Sequence, residues 1–133
     1  MSFKEINLIT SQRTEMVDIT HRVSTIISDL NVSNGIVTVF SQHTTAAITI
    51  NENADPSVKN DMLKSLNKLI PFDDSYSHLE GNSAAHIKTT LTGLSVTIPI
   101  ENGKMALGIW QGIYFCEFDG PRKRKFSIKI IRD

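Results

Sequence analysis

The sequence predicts an α+β fold with a largely antiparallel sheet and two or three helices, and three observations carry that expectation. Short β-rich runs recur along the chain with turn residues between them, two stretches carry apolar residues at helical spacing, and an Asn-Gly pair lies between two apolar runs. At 133 residues the chain is read as a single domain, 1–133, long enough to bury a core without disulfides or a structural metal.

Phe3 to Thr10 alternates loosely and reads as a strand, which Met16 to Ile19 extends or pairs with. Val23, Ile26, Ile27 and Leu30 follow the i, i+3, i+4, i+7 stripe of an amphipathic helix, with Asp18 or Thr20 as its N-cap. Asn34-Gly35 turns the chain into two β-rich runs, Ile36 to Phe40 and Ala46 to Ile50, which flank the polar segment around His43. Asp55-Pro56 opens a second helix, because aspartate suits the cap and proline the first helical position, where no amide hydrogen is needed. Its stripe is Val58, Met62, Leu66, Leu69 and Ile70, and Pro71 stops it. Gly81-Asn82-Ser83 breaks the chain before a short helix, Ala84 to Leu91, ending at Gly93. Leu94 to Ile100 and Met105 to Trp110 flank Asn102-Gly103, whose tolerance of positive φ predicts a two-residue hairpin. Ile113 to Phe118 and Phe126 to Ile131 flank Asp119 to Lys125, read as a longer basic hairpin connection.

Composition excludes several classes. Lys plus Arg equals Asp plus Glu at 14 each, so no global field attracts nucleic acid or an anionic membrane. No apolar stretch approaches the roughly 20 residues that cross a bilayer, and Met1 to Glu5 carries no basic-then-apolar signal. The single cysteine, Cys116, lies in an apolar run and can form no internal disulfide, which fits a reducing, cytoplasmic setting and a packing role.

Three of the four histidines fall in two short polar segments between regular elements: Ser41-Gln42-His43-Thr44-Thr45, and His78 to His86. A neutral imidazole offers a lone pair to a metal or a proton near pH 7, and loop positions can converge on one point. Together His43, His78 and His86 could form a three-nitrogen metal site with an open position, Glu80, Glu52 or Asp55 adding an oxygen ligand or a base. Each histidine could equally cap a helix or bond a carbonyl, and Asp55 is accounted for by its cap. Glu52 and Asn53 have no such local account. Gly81-Asn82-Ser83 at a helix start presents backbone amides that can hold a phosphate or carboxylate, and Arg122 to Lys125 could add charge-assisted donors or simply be solvated. Gly108-Ile109-Trp110-Gln111-Gly112 interrupts an apolar strand with glycines, as a pocket wall, a subunit contact or plain packing of Trp110 would require. No Gly-x-Ser-x-Gly elbow or Walker sequence occurs.

Five blocks, His43-Thr44-Thr45-Ala46-Ala47, Asn51 to Pro56, His78-Leu79-Glu80-Gly81-Asn82 with Ala85-His86, Gly108-Ile109-Trp110-Gln111 and Asp119-Gly120-Pro121-Arg122, resemble in order the YjbQ-like family, labelled the secondary thiamine-phosphate synthase family. The resemblance implies an α+β subunit assembling as a homotrimer, with a cleft of polar residues near a subunit boundary and metal binding by His43, His78 and His86. It implies a transferase that joins an aminopyrimidine diphosphate to a thiazole phosphate with loss of pyrophosphate. His43, Glu52, Glu80 and His86 would be its catalytic groups. Thr44, Asn53, Gly81, Asn82, Gln111 and Arg122 would hold a small anionic or phosphorylated ligand. An imidazole set points to zinc or another divalent transition metal rather than magnesium. Two alternatives stand beside the transferase: a metal-dependent hydrolase of a small phosphorylated or acyl substrate, and a non-catalytic trimer that binds a small anion.

Overall fold

In the computed structural model, which describes residues 2–133, the chain runs β1 (Ser2–Ile9), β2 (Glu15–Asp18), α1 (Thr20–Asp29), β3 (Gly35–Phe40), β4 (Ala46–Glu52), α2 (Pro56–Leu69), α3 (Ser83–Thr92), β5 (Ser95–Glu101), β6 (Lys104–Met105), β7 (Gln111–Glu117) and β8 (Lys123–Arg132). Side-chain alternation along β7 explains why there are two sheets. Ile113 and Phe115 point one way and Tyr114 and Cys116 the other, and all four are buried, so both faces of this strand need a cover. A three-stranded sheet, β2-β7-β4, therefore lies between a five-stranded sheet, β1-β8-β3-β5-β6, and the helices α2 and α3. Every strand pair is antiparallel.

The space between the sheets holds the larger apolar cluster. Val37, Val39, Ile98, Ile100, Phe126, Ile128 and Ile130 from the first sheet meet Ile48, Ile113 and Phe115 from the second, and α1 contributes Val23 and Ile27. On the outer face of the smaller sheet, Met16, Ala47, Ala85, Tyr114, Cys116 and Phe118 pack with Met62, Leu63 and Leu66 of α2. Burial pushes the Cys116 thiol up to about 12, which suits packing and not nucleophilic chemistry. The predicted α2 stripe is buried incompletely, since Leu69 keeps 73% of its surface.

Local signals and outcome agree where the chemistry is local. The Asp55 carboxylate accepts from the Ser57 amide at 2.9 Å with Pro56 at the first helical position, as the sequence requires. Asn102 and Gly103 take φ of 52° and 81° in the β5–β6 hairpin. The expected strand over Met105 to Trp110 ends at Met105 instead. A turn closed by Gln111 N–H to Gly108 O, and by Gly108 N–H to Gln111 Oε1, carries the chain from one sheet to the other. Met16 to Ile19 does not extend β1, because β2 pairs with β7. Ile19 occupies the α1 cap, while Asp18 accepts from the Thr20 amide and hydroxyl just outside the helix. The largest correction concerns β7 and β8, which form no hairpin. β8 pairs with β1 and β3, β7 pairs with β2 and β4, and the connection crosses between sheets. Lys123, Arg124 and Lys125 are part of β8 and not of a solvated loop. No helix among the described residues is long and apolar enough to cross a membrane.

Gly35 begins β3 with φ at 153°, and a Cβ there would lie 2.2 Å from the backbone oxygen of Ile131 on β8. Backbone cannot swing away as a side-chain tip can. Gly35→Ala is therefore expected to cost about 2 kcal/mol or more, read as a lowered urea midpoint with an unchanged m-value.

Candidate functional site

Where the connection between sheets passes the start of α3, polar groups gather around a cleft of about 210 Å³. The turn between β3 and β4 supplies Thr44 and Thr45, the segment before α3 supplies His78, Glu80 and Asn82, and the first turns of α3 supply His86. Arg122, just ahead of β8, and Arg124, within it, complete the wall.

The floor is a buried ion pair. Glu117, at the end of β7, is 0% exposed, and Arg124 reaches across from the other sheet with Nε 2.8 Å from its Oε1 and a terminal nitrogen against Oε2. Thr10 donates to the same carboxylate at 2.7 Å and the Asp119 amide at 3.0 Å. Burial raises the Glu117 carboxyl, but these donors outweigh it and hold the group below its ordinary 4.5. Arg124 also donates to Thr45 Oγ1 at 2.8 Å, which fixes the threonine turn at the cleft.

A second layer lies above it. Asp119 accepts from Arg122 at 2.9 Å and from Asn82 Nδ2 at 2.8 Å, and the same Asn82 nitrogen donates to Glu80 at 2.8 Å. With both carboxylates on its nitrogen, the orientation of the Asn82 amide is determined. Its Oδ1 is then a buried acceptor with no partner, in a side chain only 7% exposed that lines the cleft. An orphaned buried acceptor is costly and marks a place where a donor is due. His78 and His86 stand edge to face beside it, ring centroids 5.7 Å apart.

His43 has a different setting. Its Nε2 accepts from the Lys125 amide at 3.1 Å and its ring packs edge-on against Phe115, so its neighbours Thr44 and Thr45 line the cleft and its own ring does not. Burial, then the Arg124 guanidinium, lower its pKa from 6.5. Among the described residues no three His, Cys, Asp or Glu side chains are placed to hold a metal ion. The imidazole trio expected as a metal site is thus not gathered within one chain among the described residues. Distance along β4 separates the remaining expected residues. Glu52, Asn53 and Gln111 lie at the end where Glu52 pairs with Gln111, six residues from the pairing of Ala46 with Glu117 at the cleft, about 20 Å at strand spacing. There Asn53 gains a structural account, donating to Asp18 at 3.3 Å and covering Gly112, where a Cβ would meet Asn53 Nδ2 at 2.4 Å. Gln111 closes its own turn, while the main-chain carbonyl of Glu52 accepts from Tyr114 Oη at 3.0 Å.

Thr45, Glu117 and Asp119 have no site role in the sequence reading, and Arg124 enters it only as one of four basic residues, Arg122 to Lys125, open to an anion or to solvent. The available signal was Glu117 itself, a carboxylate inside the apolar run Phe115-Cys116-Glu117-Phe118, which demands a buried cation. A larger cavity of about 450 Å³ between α2, α3 and the smaller sheet is lined by Met62, Leu66, Leu91, Cys116 and Phe118 among others, and carries no comparable chemistry.

Known proteins resemble the chain in sequence and fold. The family described as UPF0047 protein YjbQ-like matches residues 4–133. A UPF0047 protein of Methanocaldococcus jannaschii is 56% identical over 93% of this chain and 90% of its own length. The UPF0047 protein YugU of Bacillus subtilis is 46% identical over 96% of this chain and 98% of its own. Among solved structures, an uncharacterized conserved protein of the YjbQ/UPF0047 family from Clostridium acetobutylicum superposes with a TM-score of 0.94 at 55% identity, covering 96% of this chain and 99% of that one. A hypothetical protein from Aeropyrum pernix reaches a TM-score of 0.95 at 32% identity with all of both chains covered.

Two outcomes follow from the electrostatics. Glu117→Gln leaves the Arg124 cation buried without its charge partner and is expected to cost about 3–5 kcal/mol in chemical denaturation. Because the native Glu117 pKa is depressed, its stabilisation is present above 4.5 and is lost as pH falls through the lower native value. For His43, NMR titration is expected to give a midpoint below 6.5, with stability falling as pH drops from 6.5 through that native value. His43→Asn should abolish that part of the pH dependence.

Proposed function

The chain belongs to the YjbQ-like UPF0047 family, and from that premise we propose that the cleft binds a small phosphorylated substrate and performs a transfer of the thiamine-phosphate synthase type. In that reaction the bond between an aminopyrimidine methylene carbon and its diphosphate oxygen breaks, and pyrophosphate leaves with the electron pair. A bond from the thiazole nitrogen of the second substrate forms at the same carbon. The catalytic demand is to neutralise a departing polyanion while holding a nitrogen heterocycle that carries N–H donors.

The observation that carries this reading is the orphaned Oδ1 of Asn82 beside an arginine and two histidines. A simple anion would satisfy the cations and leave that acceptor unpaired. A substrate that is an anion at one end and an N–H donor at the other suits the cleft, with Glu80 accepting from the amino group beside the buried Asn82 amide and Arg122, His78 and His86 facing the phosphates. Arg122 is the more exposed guanidinium, its side chain keeping 47% of its surface while bonded to Asp119 on one side, whereas Arg124 is buried on Glu117. The start of α3 beside Gly81 and Asn82 adds the positive end of a helix dipole. No step is assigned to a metal ion. The enzyme so proposed is a cytoplasmic homotrimer.

Inorganic pyrophosphate is the probe for the anion half. Calorimetry is expected to show binding to the wild-type protein, weakened about tenfold or more in Arg122→Ala, in keeping with about 1.5–3 kcal/mol for a hydrogen bond to a charged group. Asn82→Leu should spare pyrophosphate binding relative to Arg122→Ala but abolish formation of thiamine phosphate from the two substrates. A wild-type protein that neither binds pyrophosphate nor releases it on turnover would overturn the proposal.

A further inference from the structure

Lys88 lies on the buried face of α3 with Ala84, Ala85 and Thr89, is 0% exposed, and has no carboxylate within ion-pair distance among the described residues. A buried ammonium without an anion is costly, and a methionine would fill the same volume without that cost, so the charge calls for an account. Its Nζ donates to Asn67 Oδ1 on α2 at 2.7 Å and stands 4.2 Å from the centre of the Phe72 ring. The Arg13 guanidinium, from the connection between β1 and β2, lies over the same ring at 3.4 Å and likewise has no carboxylate in reach among the described residues. A ring face carries the negative end of the aromatic quadrupole, so it attracts both cations, and more strongly where water is excluded. Asn67 donates in turn to Thr14 Oγ1 at 3.2 Å, which ties α2 and α3 to the connection that carries Arg13. Burial, and after it the Arg13 charge, lower the Lys88 pKa from its ordinary 10.5, as expected of two cations that share a ring without an anion between them.

The segment that Phe72 belongs to supplies the account. Residues 71–81 join α2 to α3 without helix or strand, and among the described residues no main-chain hydrogen bond ties them to the rest of the chain. Their own bonds close the segment on itself, Tyr76 Oη donating to Pro71 O at 2.7 Å and the Gly81 amide to His78 O at 3.1 Å. It is attached by side chains: at one end Phe72 between the two cations, at the other Glu80, which accepts from Asn82 at 2.8 Å and faces Arg122 at 3.9 Å. Apolar packing does not anchor that second end, since Leu79 is fully exposed. A hollow of about 230 Å³ lined by Phe72, Tyr76, His78 and Gly81 among others leaves the segment room to shift. His78 and Glu80 thus reach the cleft on a strap, whereas Thr45, Asn82, His86 and Arg124 stand on or against the sheets and α3. We propose that residues 71–81 are a lid over the cleft, and that Arg13 and Lys88, acting through Phe72, are positioning residues that set where His78 and Glu80 stand. Ligand enters and leaves with Phe72 released from the two cations. The inference rests on the cleft being the ligand site.

Cys116 is buried with its thiol pushed up to about 12, so a cysteine placed on the lid by Ser77→Cys can be spin-labelled alone. In this otherwise wild-type protein the electron spin resonance should show a mainly ordered label with a minor mobile component, and inorganic pyrophosphate should reduce that component. Phe72→Leu keeps apolar volume and removes the π face, and Lys88→Met keeps volume and removes the charge. Each should raise the mobile fraction about threefold or more, and should speed the exchange of pyrophosphate, read from phosphorus NMR line widths, by a similar factor. Phe72→Tyr, which restores an aromatic face, should return both readings to the wild-type values. Urea unfolding with an unchanged m-value shows that each variant is folded, and Arg13→Gln, at an exposed position, takes the place of Lys88→Met if that variant is not. A label equally mobile in wild type and variants, equal effects of Phe72→Leu and Phe72→Tyr, or unchanged pyrophosphate exchange despite a freed label would overturn the inference. Failure of wild-type protein to bind pyrophosphate would instead overturn the reading of the cleft, and the hold of Arg13 and Lys88 on Phe72 is then decided by label mobility.

Discussion

One buried ion pair joins the two sheets and builds the cleft. Glu117 ends β7 in the smaller sheet, Arg124 begins β8 in the larger, and the two meet where water is excluded. A charge in that position is tolerable only when it is both paired and hydrogen-bonded, and the structure supplies both: Thr10 and the Asp119 amide complete the carboxylate, and Thr45 accepts from the guanidinium. Each of these partners comes from a different part of the chain. The pair therefore fixes the β3–β4 turn, the end of β1 and the crossing between the sheets relative to one another.

That arrangement gives the cleft its chemistry. Arg124 is neutralised by Glu117 and Arg122 is paired with Asp119, and His78, His86, Glu80 and Asn82 line the cleft beside them. Asp119 steers Arg122 and Asn82 together, and the doubly bonded Asn82 nitrogen leaves its oxygen pointing at nothing in the chain. A buried acceptor without a partner is costly to maintain. His43 serves from behind: neutral, half-buried and bonded to the Lys125 amide, it ties the threonine turn to β8.

How much of this was legible varies with the range of the interaction. The Asp55-Pro56 cap and the Asn102-Gly103 turn depend on residues within a few positions of one another, and both occur as expected. The segment His78 to His86 was recognised as a junction, and its two imidazoles do share one cleft. His43 could not be placed the same way. Whether its ring turned toward those histidines or toward β8 was decided by an amide 82 residues away. Arg124 stands in the sequence as one of four cations of a basic connection, open to an anion or to solvent, because nothing in Arg122 to Lys125 distinguishes a buried cation from its neighbours. The distinguishing fact is the buried carboxylate of Glu117.

By itself the sequence determined the kinds of element, most of their boundaries, the family through five ordered blocks, and the residue types available for chemistry, since periodicity, caps and turn residues act over one or two turns of chain. Only the tertiary structure decided which strands pair, that β7 needs cover on both faces and so splits the strands into two sheets, and that β8 leaves β7 for β1 and β3. It also decided that Glu52 and Gln111 lie at the opposite end of a strand pair from His86. Those outcomes come from competition among distant apolar faces and buried charges for the same partners, and short-range spacing carries no record of which partner wins.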